Sequence, residues 1–311
     1  NYMSSSMLHQ FDMFVERFLQ VLKSFSDKSK AEYVSEMKTY LPLFASLIHY
    51  GQNNISPFLK DSLDFIKEKF CTELADDFIQ IILCFIDAVK DAFIPYASDI
   101  ICLLVVCLDN AKTSDEYLSR TVLKAFSLLG IYASDLLYLI VPQICDAVEC
   151  EQTFSNVRYS AFQTLTNLMQ SVDLFPYVGP IMRALSTGLF SDKQDEEKTR
   201  RSAYEFLCTT LKTQGSNFLK SAQPLIDLIE SKEMMTDELL EIIKDVKNNV
   251  YSKSYKPLLH MRNDDNNGNK DLSSSNKDSA KNRKLISRTK SESIRNSYQL
   301  FSQFQQLNHI F

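Results

Sequence analysis

Tryptophan is absent from this 311-residue chain, and glycine (6) and proline (8) are scarce. So few turn formers exclude a β-sandwich or barrel, which needs a turn about every 8–12 residues. The glycines, Gly51, Gly130, Gly179, Gly188, Gly215 and Gly268, stand singly, so neither a G-x-G-x-x-G turn nor a phosphate-cradling P-loop can be assembled. Histidine is equally sparse. His9, His49, His260 and His309 are scattered, and none pairs at metal-ligand spacing with another or with a cysteine cluster. A Ser–His–Asp or Cys–His site would have to draw on these four, three of which lie near the termini or in the polar tail. No His-Arg-Asp or Asp-Phe-Gly triplet is present, so kinase catalytic motifs are missing from this segment. Long apolar runs are missing too: Ile100–Leu108, the longest, has nine residues against the ~20 that span a bilayer. The sequence therefore offers no catalytic, cofactor-binding or metal-binding residue.

The seven cysteines, Cys71, Cys84, Cys102, Cys107, Cys145, Cys150 and Cys208, include no C-x-x-C pair. An odd count on apolar stretches reads as reduced core thiols rather than a disulfide framework. The opening Asn1-Tyr2-Met3-Ser4-Ser5-Ser6 has neither an initiator methionine nor a basic-then-apolar leader. It reads as part of a longer, non-secreted protein.

What the chain does have is helical periodicity, with 45% hydrophobic residues, enough for a real core. Phe11, Phe14, Val15, Phe18, Leu22 and Phe25 recur at steps of three and four, as on one helix face. The pattern returns in Leu118, Val122, Ala125 and Leu129, in Leu137, Val141, Ile144 and Val148, and in Ala161, Leu165, Leu168 and Val172. Pro42, Pro95, Pro142, Pro180 and Pro224 punctuate these stretches, the last three steps being 47, 38 and 44 residues. Because proline is tolerated in a first helical turn, each is read as the corner where a helix begins. The residue before a proline favours extended backbone, so Phe93-Ile94-Pro95 and Phe175-Pro176 read as equivalent corners with a short extended step. Ser56 and Pro57 read likewise as the N-cap and first position of a helix reaching Phe70.

Two helices recurring every ~40–47 residues are the signature of HEAT or armadillo arrays. The expected fold is all-α, a HEAT/armadillo-like α-solenoid of antiparallel helix pairs followed by a disordered basic tail. Residues 1–70 would be N-terminal helices or divergent repeats, 71–251 the array, 252–296 a polar linker and 297–311 a short helix. Outer helices would start near residues 73, 114, 155, 195 and 236, each but the last followed by an inner partner.

Charge divides the chain in the same place. Residues 251–311 hold eleven Lys/Arg and five Asp/Glu, a balance of +6, leaving 23 against 34 (−11) in residues 1–250. An acidic body lacks the clustered cations that bind nucleic acid. The tail reads as a solvated linker or as a contact for phosphate or anionic lipid. Within it, Arg288-Thr289-Lys290-Ser291 has the pattern of a basophilic phosphorylation site at Ser291. In the body, the charged run Asp192–Arg201 is either a partner-binding loop or a solvated turn leading into a helix. Arg158, Tyr159 and Tyr204 are either exposed recognition residues or core.

From Asp77 to Asp245 the residues also carry a family likeness. Ile81-Ile82-Leu83, Phe93-Ile94-Pro95, Leu129-Gly130, Asp135-Leu136-Leu137-Tyr138-Leu139-Ile140-Val141-Pro142, Arg158-Tyr159-Ser160-Ala161 and Ser171-Val172-Asp173-Leu174-Phe175 follow in order. This succession resembles the middle HEAT-repeat region of the target of rapamycin (TOR) kinases, which belong to the PI3-kinase-related family. Beyond the array, Lys256-Pro257-Leu258-Leu259-His260 and Arg283-Lys284-Leu285-Ile286 are similar to stretches of the same family. The resemblance implies a non-catalytic scaffold segment of a serine/threonine kinase in nutrient and growth signalling. It would dock a raptor-like or alternative adaptor subunit and support dimerisation through neighbouring repeats. ATP and Mg would belong only to a kinase domain elsewhere in the parent chain. The implied location is cytoplasmic, with indirect, peripheral association at lysosomal or vacuolar membranes. A nuclear-transport receptor of the importin-β kind, or a cytoskeletal or phosphatase HEAT scaffold, satisfies the repeat pattern as well.

Overall fold

The computed structural model describes residues 5–25, 29–191 and 196–248. The expected linker, the expected helix at 297–311 and Ser291 lie outside these residues. The described chain folds as α1 (Ser5–Ser24), α2 (Lys30–Gly51), α3 (Leu59–Lys69), α4 (Ala75–Val89), α5 (Ile94–Ala111) and α6 (Glu116–Tyr132). It continues with α7 (Leu137–Glu149), α8 (Ser155–Ser171), α9 (Val178–Leu189), α10 (Glu197–Ser231) and α11 (Asp237–Lys247), and among the described residues there is no strand.

These helices lie side by side in two rows. In the first, α2 packs on α4, α4 on α6, α6 on α8, α8 on α10 and α10 on α11. In the second, α5 packs on α7 and α7 on α9. The rows interlock where α5 meets α6, α7 meets α8 and α9 meets α10. The chain passes between rows by sharp turns, the change of direction from α6 into Ser134–Glu149 being 120°. The fold is a HEAT/armadillo-like α-solenoid.

The expected stripes supply the packing faces. Leu118, Val122, Ala125 and Leu129 of α6 are all buried, as are Leu137, Val141, Ile144 and Val148 of α7. Local chemistry sets where some helices start. The Asp115 carboxylate accepts the Leu118 N–H (3.0 Å) at the start of α6, and the Thr236 hydroxyl accepts the Leu239 N–H (3.3 Å) at the start of α11. In α11, Asp237 and Glu238 occupy the first turn and Lys244 and Lys247 the last, matching the helix dipole. The second-row helices start differently, each led in by a 3-10 turn: Lys90–Phe93, Ser134–Leu136 and Phe175–Tyr177.

The prolines do not all mark helix starts. Pro95 sits at the head of α5 and Pro180 in the first turn of α9, but Pro142 lies inside α7, Pro42 inside α2 and Pro224 inside α10. What they share is the solvent side of their helices: Pro42, Pro95 and Pro224 are exposed, Pro142 and Pro180 half-buried. An internal proline frees the carbonyl four residues back, and on a wet face water can satisfy it. The expected extended steps are also replaced by helical backbone, since Ile94 has φ −51° and ψ −43°. Burial of Phe93 at 2% exposure outweighs the local preference of a residue before proline. Ser56 and Pro57 fall within a 3-10 turn, Gln52–Phe58, ahead of α3 rather than at its cap.

Glycine is needed for shape at several positions, Gly215 and Gly188 among them. Gly215 has φ 62° and breaks α10 into two helical parts. Gly188 lets α9 approach α8, because a Cβ there would come within 2.5 Å of Phe162 Cε2.

Thr72–Ala111 is long and apolar enough by composition to span a membrane, although no single uninterrupted run suggested it. In the structure it is α4 and α5, parted at Lys90 (φ 44°), with α4 packed on α2 and α6 and α5 packed on α6 and α7.

A single hydrophobic cluster runs from Val15 to Val246. It crosses the expected boundary at residue 70 without a break, and α2 stacks on α4 as α4 stacks on α6. Ile144 is fully buried within it. Ile144→Ala is expected to lower the unfolding free energy by ~2–5 kcal/mol, through lost transfer energy plus a cavity. Urea melts showing no loss would contradict burial of that face.

Candidate interaction surface

Polar contacts join successive helices along both rows. In the second row the Lys67 ammonium at the end of α3 meets Asp99 of α5 (3.2 Å), Lys112 beyond α5 meets Asp146 of α7, and Arg183 of α9 meets Glu149 of α7 (3.3 Å). These three pairs span 32, 34 and 34 residues, one step of the array each. Partial burial works against the charge on Lys112, but hydrogen bonds to Asp146 and Asp109 outweigh it and hold the ammonium above the ordinary lysine value. Partly exposed pairs of this kind contribute only ~0.2–1 kcal/mol each. They fix the register of neighbours more than they stabilise them.

The same ridge borders a groove of about 490 Å³ between α5, α7 and α9. Asp109, Asp146 and Glu149 supply carboxylates, Arg183 a guanidinium, Gln143 an amide, and Pro142 and Pro180 the floor. The hydrogen bond that Pro142 cannot donate would have gone to the Tyr138 carbonyl, so proline leaves backbone polarity on this face.

First-row helices are tied by a second set of bonds. Asn156 donates to Glu116 (3.0 Å), the Thr164 hydroxyl to the Leu123 carbonyl (3.4 Å) and the Thr199 hydroxyl to the Ser155 carbonyl (3.1 Å). The Tyr204 and Thr236 hydroxyls meet at 2.6 Å, making Tyr204 a tie between α10 and α11. Tyr159 is half-buried and accepts from Gln163 within α8.

Arg158 is not a recognition residue. Only 2% exposed, it donates to the Glu196 carboxylate (2.5 Å) and to the Cys150 carbonyl (2.7 Å). Glu196, within the charged run, is 1% exposed, so that run is not wholly solvated. Residues 192–195 lie outside the described residues. The pair was missed because a lone arginine on an apolar face and an acid in a charged stretch, 38 residues apart, look unrelated in sequence. The repeat length itself was the available signal.

Exposed His9 and His49 do not meet, His49 lying edge-on to Tyr50. Among the described residues no group of three or more His, Cys, Asp or Glu side chains is placed to hold a metal ion. Burial pushes the Cys107 and Cys145 thiols up to about 12 and Cys208 up to about 11, as suits core residues. All seven cysteines are free.

These observations define a helical-repeat array whose described residues contain no kinase fold. Over 208 residues, 66% of its length, the chain is 24% identical to the serine/threonine-protein kinase tor1 of Schizosaccharomyces pombe. It spans 8% of that kinase's length. No protein-family profile matches the chain.

The Arg158–Glu196 pair gives a direct test of the joint between α8 and α10. Arg158→Met should cost ~3–5 kcal/mol by leaving the Glu196 charge buried alone. Adding Glu196→Leu should restore most of the loss in a thermal or urea melt. Additive losses would show that the two side chains do not act as a pair.

Proposed function

We propose that this chain is a non-catalytic scaffold segment of a TOR-like serine/threonine kinase. Its 24% identity to a TOR kinase over 208 residues, in a chain that folds as a helical-repeat array, carries the reading. The segment's task is mechanical: stacked helices fix the distance and angle between a docked partner and a catalytic domain elsewhere in the parent protein. The groove between α5, α7 and α9 is the docking face, and its partner is an adaptor subunit of the raptor kind or its alternative. Dimerisation runs through neighbouring repeats, and the setting is the cytoplasm and the surface of lysosomal or vacuolar membranes. ATP and Mg bind the catalytic domain, not these helices.

The groove's three carboxylates outnumber the Arg183 guanidinium and the bordering Lys112 ammonium by one, which favours a partner segment with more basic than acidic residues. Asp146→Lys together with Glu149→Lys, both in the groove wall, should therefore weaken capture of the adaptor in pull-downs with the full parent kinase. The salt dependence of what remains should be smaller. Unchanged capture would contradict this docking face. Selective capture of a GTP-loaded nuclear GTPase would instead favour a transport receptor.

A further inference from the structure

The two ends of the array are finished differently. At one end the exposed residues of α11 are Asp237, Glu238, Leu240, Glu241, Lys244 and Lys247, so its outward side is polar apart from Leu240. A polar outer face is what closes a repeat array against solvent. At the other end Phe14 (56% exposed) and Val21 (42%) of α1 and Leu43 (55%) of α2 stand in solvent. Half-buried Phe18, Tyr40 and Leu47 lie along the same two stripes, the Phe18 ring being 6.2 Å from both Phe14 and Tyr40. Each set steps by three and four, so one apolar stripe of α1 meets one of α2. Every inner first-row helix has a row neighbour on both sides, whereas α2, among the described residues, has only α4. The open face therefore continues the first-row interface and is one helix short.

We propose that residues 297–311 of the same chain cover this face, taking the place of the first-row helix that α2 lacks. Their sequence fits that interface. Leu300, Phe304, Leu307 and Phe311 step by four, three and four, as the buried stripe of α7 does. The segment has 15 residues, the length of α4, and no Lys, Arg, Asp or Glu to set against an apolar surface.

The 48 residues from 249 to 296 give it the reach. Five row steps lie between α11 and α2, at ~8–10 Å each, and a chain of that length extends to about 160 Å. These connecting residues also hold the whole +6 balance of the tail, opposite in sign to the −11 of the body they would cross. The cover is matched to its face by an apolar stripe, and the connection to the body by charge.

The test places photoreactive p-benzoylphenylalanine at position 304 of the full chain, irradiates a dilute mixture of isotopically heavy and light copies, and maps the cross-links by peptide mass spectrometry. Cross-links within one copy, from residue 304 to α1 and α2, are expected. Leu43→Glu, a change at a solvent-exposed position, should reduce their yield several-fold. In a second measurement, Phe304→Asp with Leu307→Asp should speed hydrogen exchange several-fold in α1 and α2 while leaving α8 to α11 as they were. Both positions lie outside the hydrophobic cluster of the array, which stays folded without them. Cross-links between heavy and light copies would assign the face to a second copy and overturn the proposal. So would cross-links to α11 or to the groove between α5, α7 and α9, no cross-link at all, a yield indifferent to Leu43→Glu, or unchanged exchange in α1 and α2.

Discussion

Phe162 of α8 is fully buried, lies 6.2 Å from the Phe206 ring of α10, and rests where Gly188 of α9 has no Cβ. That single contact contains the constraint on the whole molecule: no helix here can bury its apolar stripe without the helix one repeat later. Phe44 of α2, Phe85 of α4, Phe126 of α6, Phe162 of α8 and Phe206 of α10 are all fully buried, and Phe44 and Phe85 touch at 6.1 Å. Each such side chain contributes ~1.5–3 kcal/mol on burial. The energy is spread along the rows rather than gathered at a centre. Polar ties then follow the same step, as the Thr164, Thr199, Lys112 and Arg183 contacts show, and they set register where the apolar contacts set strength.

Much of this was legible in the sequence. Stripes such as Leu137, Val141, Ile144 and Val148 located the helices within a few residues, because burial on one side imposes a 3.6-residue period whatever the partner. The prolines gave the right repeat length for a partly wrong reason. They recur because each repeat keeps one helix face wet, not because each repeat starts with one, and Pro42 inside the 22-residue α2 shows the difference. The buried phenylalanines of the first row, 41, 41, 36 and 44 residues apart from Phe44 to Phe206, carry the same period and report packing directly.

The interaction surface was harder to read. Arg158, Glu196 and the Asp146–Lys112 pair matter through neighbours more than thirty residues away, and a charge has no periodic signature until its partner's place is known. A groove of carboxylates, a guanidinium and proline rings likewise exists only once α5, α7 and α9 stand side by side. The proposed scaffold reading draws the two levels together: an array held by nearest neighbours would keep the proposed docking face at a fixed distance from a catalytic domain elsewhere in the parent protein.

Hydrogen exchange on Phe126→Ala, compared residue by residue with the unaltered chain, tests that reading most directly. Nearest-neighbour stacking predicts that protection falls in α4, α6, α7 and α8 while α1 at one end and α11 at the other keep theirs. Equal loss of protection in every helix from α1 to α11 would reveal one cooperative core and contradict it.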